Sequence, residues 1–241
     1  MNKELRWLRA YAAVATLALV VIAVAAFRQT VAPAGEINAR RINIVGPDGK
    51  LQLVISSRQD MPEGFIDGKT FTSQGRHDNA GLIFYNAEGD EDGGLTFGSK
   101  IGPNGEKSAD GGLLFDQYKQ DQKVGLMYDQ TDGKRSAGVR VWERPELDLA
   151  QEVESIQAMR AMPAGPAKDA KMKAFAAAQA RGDYGAVRMF AGEALDQSAQ
   201  ITLSDHAGHA RLRLSVTPAG EASIEFLDAQ GKVISRLPAR H

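Results

Sequence analysis

The residues whose types and spacing could do chemistry are carboxylates gathered in turns. Glu88, Asp90, Glu91 and Asp92 lie within five positions of each other in the segment FYNAEGDEDGG. Hard cations take several carboxylate and carbonyl oxygens, which makes this turn a candidate cation site. It lacks the alternating aspartates and distal glutamate of an EF-hand loop, and a solvated hairpin turn accounts for the same residues. A second group, Asp116, Gln117, Asp121 and Gln122, frames the next hairpin as FDQ…QDQ. Two carboxyls facing one cleft are the apparatus of glycoside hydrolysis, so Asp116 and Asp121 form a candidate acid–base pair. Side-chain bonds within an Asx-type turn explain the same residues. His206 and His209 stand as H-x-x-H, but no third ligand is near in sequence and the segment does not read as helix. Ser56, Ser99 and Ser204 lack the G-x-S-x-G elbow of a strained nucleophile. There is no Walker A loop, and no G-x-G-x-x-G follows a strand. The residues therefore name no catalytic set, no metal ligands and no cofactor.

Composition narrows the classes further. The 241 residues carry 29 basic and 30 acidic side chains and no cysteine. Without cysteine there is no disulfide, no thiolate catalysis and no Cys-based zinc site. Residues 1–34 hold Lys3, Arg6, Arg9 and Arg28 against Glu4, which leaves 25 basic and 29 acidic residues in the remainder, a net charge of −4. A mildly acidic body argues against a nucleic-acid partner, whose phosphates demand a basic surface.

The elements that position these residues begin with residues 10–27, AYAAVATLALVVIAVAAF, an uncharged run of 18 residues. As a helix it extends about 27 Å, close to the ~30 Å apolar core of a bilayer. Three basic residues precede it and Arg28 follows; the positive-inside rule then places residues 1–9 in the cytoplasm and the body outside the inner membrane. Ala23-Val24-Ala25 offers a small-x-small site, so a cleaved signal peptide is the competing reading, although the run exceeds the usual h-region. Residues 28–36 read as a tether.

From residue 37 the pattern is β. Ile42 and Ile44 alternate with polar neighbours, Gly46-Pro47-Asp48-Gly49 makes a turn, and Leu51, Leu53 and Ile55 continue the alternation. Ser57 to Asn79 reads as a long polar loop. Leu82–Tyr85, Leu113–Phe115 and Leu126–Tyr128 are apolar on both faces, which predicts strands covered on both sides. The strand over 134–142 ends at Arg144-Pro145. Residues 146–182 change to helical spacing around a Pro163–Pro166 break, a helical insertion. Residues 183–241 return to strands. Leu203-Ser204-Asp205-His206-Ala207-Gly208 recurs as Phe226-Leu227-Asp228-Ala229-Gln230-Gly231, and Val45–Gly49 is a looser copy. A repeated strand–DxxG–strand unit predicts a mainly β, antiparallel hairpin-repeat domain over 37–145 and 183–241, closed as a barrel, sandwich or propeller-like ring by its terminal hairpins.

The segments RINIVGPDGKLQLVIS (41–56), FYNAEGDEDGGLTFG (84–98), FDQYKQDQ (115–122), VWERP (141–145) and FLDAQGKVISRLP (226–238) resemble a group of uncharacterised bacterial proteins with one N-terminal membrane anchor and β-repeats. The resemblance covers most of 41–145 and 186–238 and implies an anchor and a β architecture, with no activity, cofactor or catalytic residue attached. The functional expectation is a membrane-anchored binding or scaffold module of the cell envelope. Residues 10–27 would contact the membrane, and the partner would be an envelope protein or glycan meeting segments 57–79 and 146–182. The alternative is an envelope glycan hydrolase using the Asp116–Asp121 pair.

Overall fold

The computed structural model describes residues 3–27, 35–72, 75–146 and 149–238. Most of the expected tether, and His241, lie outside them. Two separate units are present, dividing after Ala39. The first contains helix α1, Lys3–Phe27, which is long and apolar enough to cross a membrane. The helix starts seven residues before the uncharged run, so Lys3, Arg6 and Arg9 occupy its opening turns rather than a separate tail.

The second unit is a single antiparallel meander. Its strands are β1 (Arg41–Val45), β2 (Leu51–Ser56), β3 (Gly64–Ile66), β4 (Lys69–Phe71), β5 (Ala80–Tyr85), β6 (Glu91–Ile101), β7 (Lys107–Asp116) and β8 (Gln122–Thr131). They continue as β9 (Lys134–Glu143), β10 (Ala186–Glu193), β11 (Ala199–Ser204), β12 (Ala210–Val216), β13 (Ala222–Leu227) and β14 (Val233–Leu237). Twelve of them form one sheet in the order β1-β2-β5-β6-β7-β8-β9-β10-β11-β12-β13-β14; β3 and β4 pair by themselves. Helices α2 (Leu149–Ala161) and α3 (Pro166–Ala180) lie between β9 and β10, where a helical insertion was expected.

The expected closure does not occur. β1 and β14 stand at opposite edges of an open sheet, so the terminal hairpins do not pair. Each strand of the sheet lies beside the one before it in the sheet, across short turns or, at β2–β5 and β9–β10, across an excursion, and such sequential pairing has no step that brings the ends together.

The repeated DxxG turn has a clear physical basis. In the turns starting at Gly46, Asn86, Gly102, Asp205, Thr217 and Asp228, the fourth residue donates its N–H back to the first carbonyl. That fourth residue is a glycine with φ between 77° and 91°. This is the type I turn followed by a left-handed residue that joins short hairpins, and glycine enters it without steric cost. The first residue contributes as well. Asp205 Oδ1 accepts the N–H groups of Ala207 and His209, and Asp228 Oδ1 those of Gln230 and Lys232. Asn86 does the same for Glu88 and Asp90. The recurring aspartates are thus turn formers.

Within residues 57–72 and 75–79 lie two short 3-10 turns and the β3–β4 hairpin, more order than the sequence suggests. Met61 packs with Val54, Ile83 and Tyr85, and Leu51 leans on this cluster, the main core of the described chain. Val54 and Ile83 face each other across β2 and β5. The segment therefore lies over the face that Val54 and Ile83 share.

Candidate functional site

The strand register sorts the side chains onto two faces, because directly opposed residues share a face. One row crosses the whole sheet. It starts at Ile42 and Ile55, passes Leu82, Leu95, Leu113 and Leu126, and runs on through Val139, Ala191, Ile201, Leu214 and Ile224 to Leu237. Every member is aliphatic. The row beside it carries Ile44, Leu53, Phe84, Phe115, Val124 and Val141 across β1 to β9, and it too lacks charge. A third row adds Phe97, Tyr128 and Val216, with Glu193 as its charged member. This face is largely uncovered: Leu126 is 59% exposed, Phe97 54% and Phe115 50%. Of the strands expected to be covered on both sides, Leu82–Tyr85 is covered on one, and Leu114 and Met127 of the other two are only half-buried. Ile83 is buried beneath Met61, while Leu82 and Phe84, pointing the other way, are only half-buried. A contiguous exposed apolar surface of this extent is uncommon on a free globular protein.

The opposite face carries the Val54–Ile83 core at one end and polar side chains beyond it, and holds two concave sites. The first, about 300 Å³, lies between residues 61–79 and strands β6–β8, with Arg76, Asn79, Glu91, Asp116 and Gln122 in its lining. Arg76 holds Glu91 in a forked pair, with Nη2 at 2.6 Å and Nη1 at 3.2 Å, and also donates to the Pro62 carbonyl. Burial pushes the Glu91 carboxyl up from its ordinary value, and the Arg76 charge opposes that shift. Asp116 is perturbed most: burial first, then the charges of Asp121, Glu91 and Asp92, push it up to about 8. Its Oδ1 is buried with no hydrogen-bond partner among the described residues. Asp121 sits 3.2 Å from Arg144, whose guanidinium also donates to the Gln122 carbonyl and side chain. At neutral pH Asp116 therefore keeps its proton, beside a second carboxyl that Arg144 holds.

The second concavity, about 730 Å³, lies over β9–β14. Its floor is the row Arg140, Phe190, Thr202, Arg213, Glu225 and Arg236. Glu225 is shared by Arg213 at 3.4 Å and Arg236 at 3.5 Å, and Arg140 lies over the Phe190 ring at 5.6 Å. Thr202 Oγ1 and Arg213 Nε are both buried without a hydrogen-bond partner among the described residues.

The sequence-derived candidates fall as follows. Asp116 and Gln122 line the first pocket, and Asp121 acts on Asp116 electrostatically. Gln117 makes the turn itself, donating its N–H to the Asp121 carbonyl. The acidic turn does not converge on one point. Glu88 and Asp90 pair with Lys119 at 2.8 and 2.9 Å, an ammonium that also holds Asp67, while Glu91 turns to Arg76. Asp92 is pushed up by burial alone. Among the described residues no cluster of three or more metal-ligating side chains is present. His206 and His209 pair instead with Glu143 and Asp205, at 3.9 and 3.3 Å. Sequence reading missed Arg76, Arg144 and the Arg213–Glu225–Arg236 row. Only the last left a signal, arginines and a glutamate alternating with aliphatic residues on β12 and β13. No protein-family model, no curated protein and no solved structure matches this chain.

Proposed function

We propose that this chain is a membrane-anchored binding or scaffold module of the cell envelope, working by docking rather than catalysis. α1 tethers it to the inner membrane with its N-terminus in the cytoplasm, and the twelve-stranded sheet stands outside. The observation that carries this reading is the aliphatic row from Ile42 to Leu237, an uncovered face spanning every strand of the sheet. Burial of apolar surface is the dominant driving force of protein association, and this face offers far more of it than a free surface normally carries. The opposite face would then hold the 57–79 segment against the sheet and leave the β9–β14 groove for a polar ligand such as a glycan.

The test is in-cell cross-linking followed by purification from membranes through a C-terminal tag. Recovery of a protein in near-stoichiometric amount, lost on Leu126→Arg, supports the docking reading. An intact chain recovered without any cross-linked partner refutes it.

A second reading, an envelope glycan hydrolase, is favoured by one arrangement: Asp116, pushed up to about 8 by burial and then by Asp121, lines a pocket. A carboxyl kept protonated at neutral pH by burial and a neighbouring carboxyl is how a general acid is set up. Hydrolysis of cell-wall glycan by the full chain, lost in both Asp116→Asn and Asp121→Asn, would establish it; no turnover by the wild-type chain rejects it.

A further inference from the structure

The docking reading leaves the occupant of the apolar face open. We infer that it is a second copy of this chain, packed sheet on sheet with the two aliphatic faces inward.

The argument begins with what the fold lacks. The unit from Arg40 onward is one layer of sheet, and its main core lies entirely on the side that Val54 and Ile83 share. Domains are built from at least two packed layers because a sheet must bury its apolar face against something. Here the second layer is absent from the chain itself over most of the sheet. A face that the fold needs covered must be covered as the chain folds, and the component always present at that moment is another copy. Interfaces of this obligate kind resemble a domain core cut in half, which describes two inner rows without a charged residue.

Size agrees. At about 4.8 Å per strand the twelve strands extend roughly 50 Å, and three rows give a footprint of roughly 800 Å². A standard stable interface buries about 800 Å² per partner. Two such faces would stack about 10 Å apart at about −30°, the aligned packing of β-sandwiches. The two inner rows carry no charge and so no electrostatic code to select a different partner, and Glu193 of the third row is paired with Arg135.

Symmetry then makes a specific statement. A two-fold axis between stacked sheets runs either along the strands or across them. In both cases the centre of the sheet meets its own copy, as it must in an isologous contact. The centre of the row is Leu126 on β8 opposite Val139 on β9, with five strands beyond each. Leu126 is therefore expected to lie against Leu126 of the second copy when the axis runs across the strands, and against its Val139, with the two Leu126 residues one strand apart, when it runs along them.

This inference rests on the docking reading, and the experiment separates their failures. The full chain has no cysteine, so Leu126→Cys introduces the sole thiol. Met127→Cys, on the opposite face, is the control. A short bismaleimide, which reaches the ~10 Å between stacked sheets that a disulfide does not, is expected to give a cross-linked species of twice 25.9 kDa in native membranes with Leu126→Cys and none with Met127→Cys. Light scattering of the unmodified chain in membrane discs should independently give two chains per particle. A Leu126→Cys product joined to another protein overturns self-pairing while keeping the docking reading. A thiol at 126 that is freely alkylated by a water-soluble maleimide, in a chain that runs as a monomer, overturns both. A particle of three or more chains overturns the two-fold arrangement.

Discussion

Thr202 on β11 and Arg213 on β12 face each other directly, and each leaves a buried polar atom unpaired among the described residues. An unsatisfied buried hydroxyl is costly, whereas an apolar isostere at the same place is nearly neutral. Thr202→Val is therefore expected to change unfolding free energy by less than about 1 kcal/mol, or to raise it. A ligand that uses the Thr202 hydroxyl would be bound more weakly by the same variant. Urea denaturation, paired with glycan-array binding, checks both.

Asp116 sets a pH dependence. Its carboxyl is pushed up to about 8 in the fold, by burial and then by Asp121, Glu91 and Asp92. An unfolded aspartate titrates near 3.9. Between these values the folded chain holds a proton that the unfolded chain has lost, so stability falls as pH rises from about 4 to about 8 and levels off above. Asp116→Asn removes this slope and raises the melting temperature at pH 8. A thermal melt series from pH 5 to 9 reads it directly. A slope unchanged by the substitution would remove Asp116 as its source.

The Arg76–Glu91 fork holds residues 57–79 to β6. Both side chains are mostly buried, and leaving one buried charge without its partner costs about 3 kcal/mol. Arg76→Met should destabilise the sheet unit by about that amount. It should also make residues 57–79 the first site of limited proteolysis, since the segment loses its tie to both Glu91 and the Pro62 carbonyl.

Ile83 anchors the small core. Truncation to alanine is expected to cost about 2–4 kcal/mol, from lost transfer energy and the cavity left beside Val54, Met61 and Tyr85. Leu82→Ala, its neighbour on the apolar face, should cost much less in a monomer. In the paired state inferred above the two costs approach each other. Comparing both variants by denaturation reports whether the second face is covered.

Much of this architecture was legible in the chain. Alternating residues such as Ile42 and Ile44, and the recurring Asp205–Gly208 turn, specify hairpins, because side-chain direction in a strand has a period of two and a left-handed turn residue selects glycine. The uncharged run before Phe27 specifies a helix able to cross a membrane, and the spacing of Leu149, Val153 and Ile156 specifies the helical insertion. These are local properties, read within a few residues. The tertiary structure decided what local pattern cannot carry. Whether the sheet closes depends on twist and register accumulated over twelve strands, and no residue near β1 encodes its distance from β14. The pairing of Arg76 with Glu91 joins a loop to a strand across a fold that only the meander creates. The single aliphatic face has the same origin: short runs such as Leu113–Phe115 look apolar on both sides in isolation, and only the register shows one side lining up from edge to edge, while Met61 fills the other side over β2 and β5 alone.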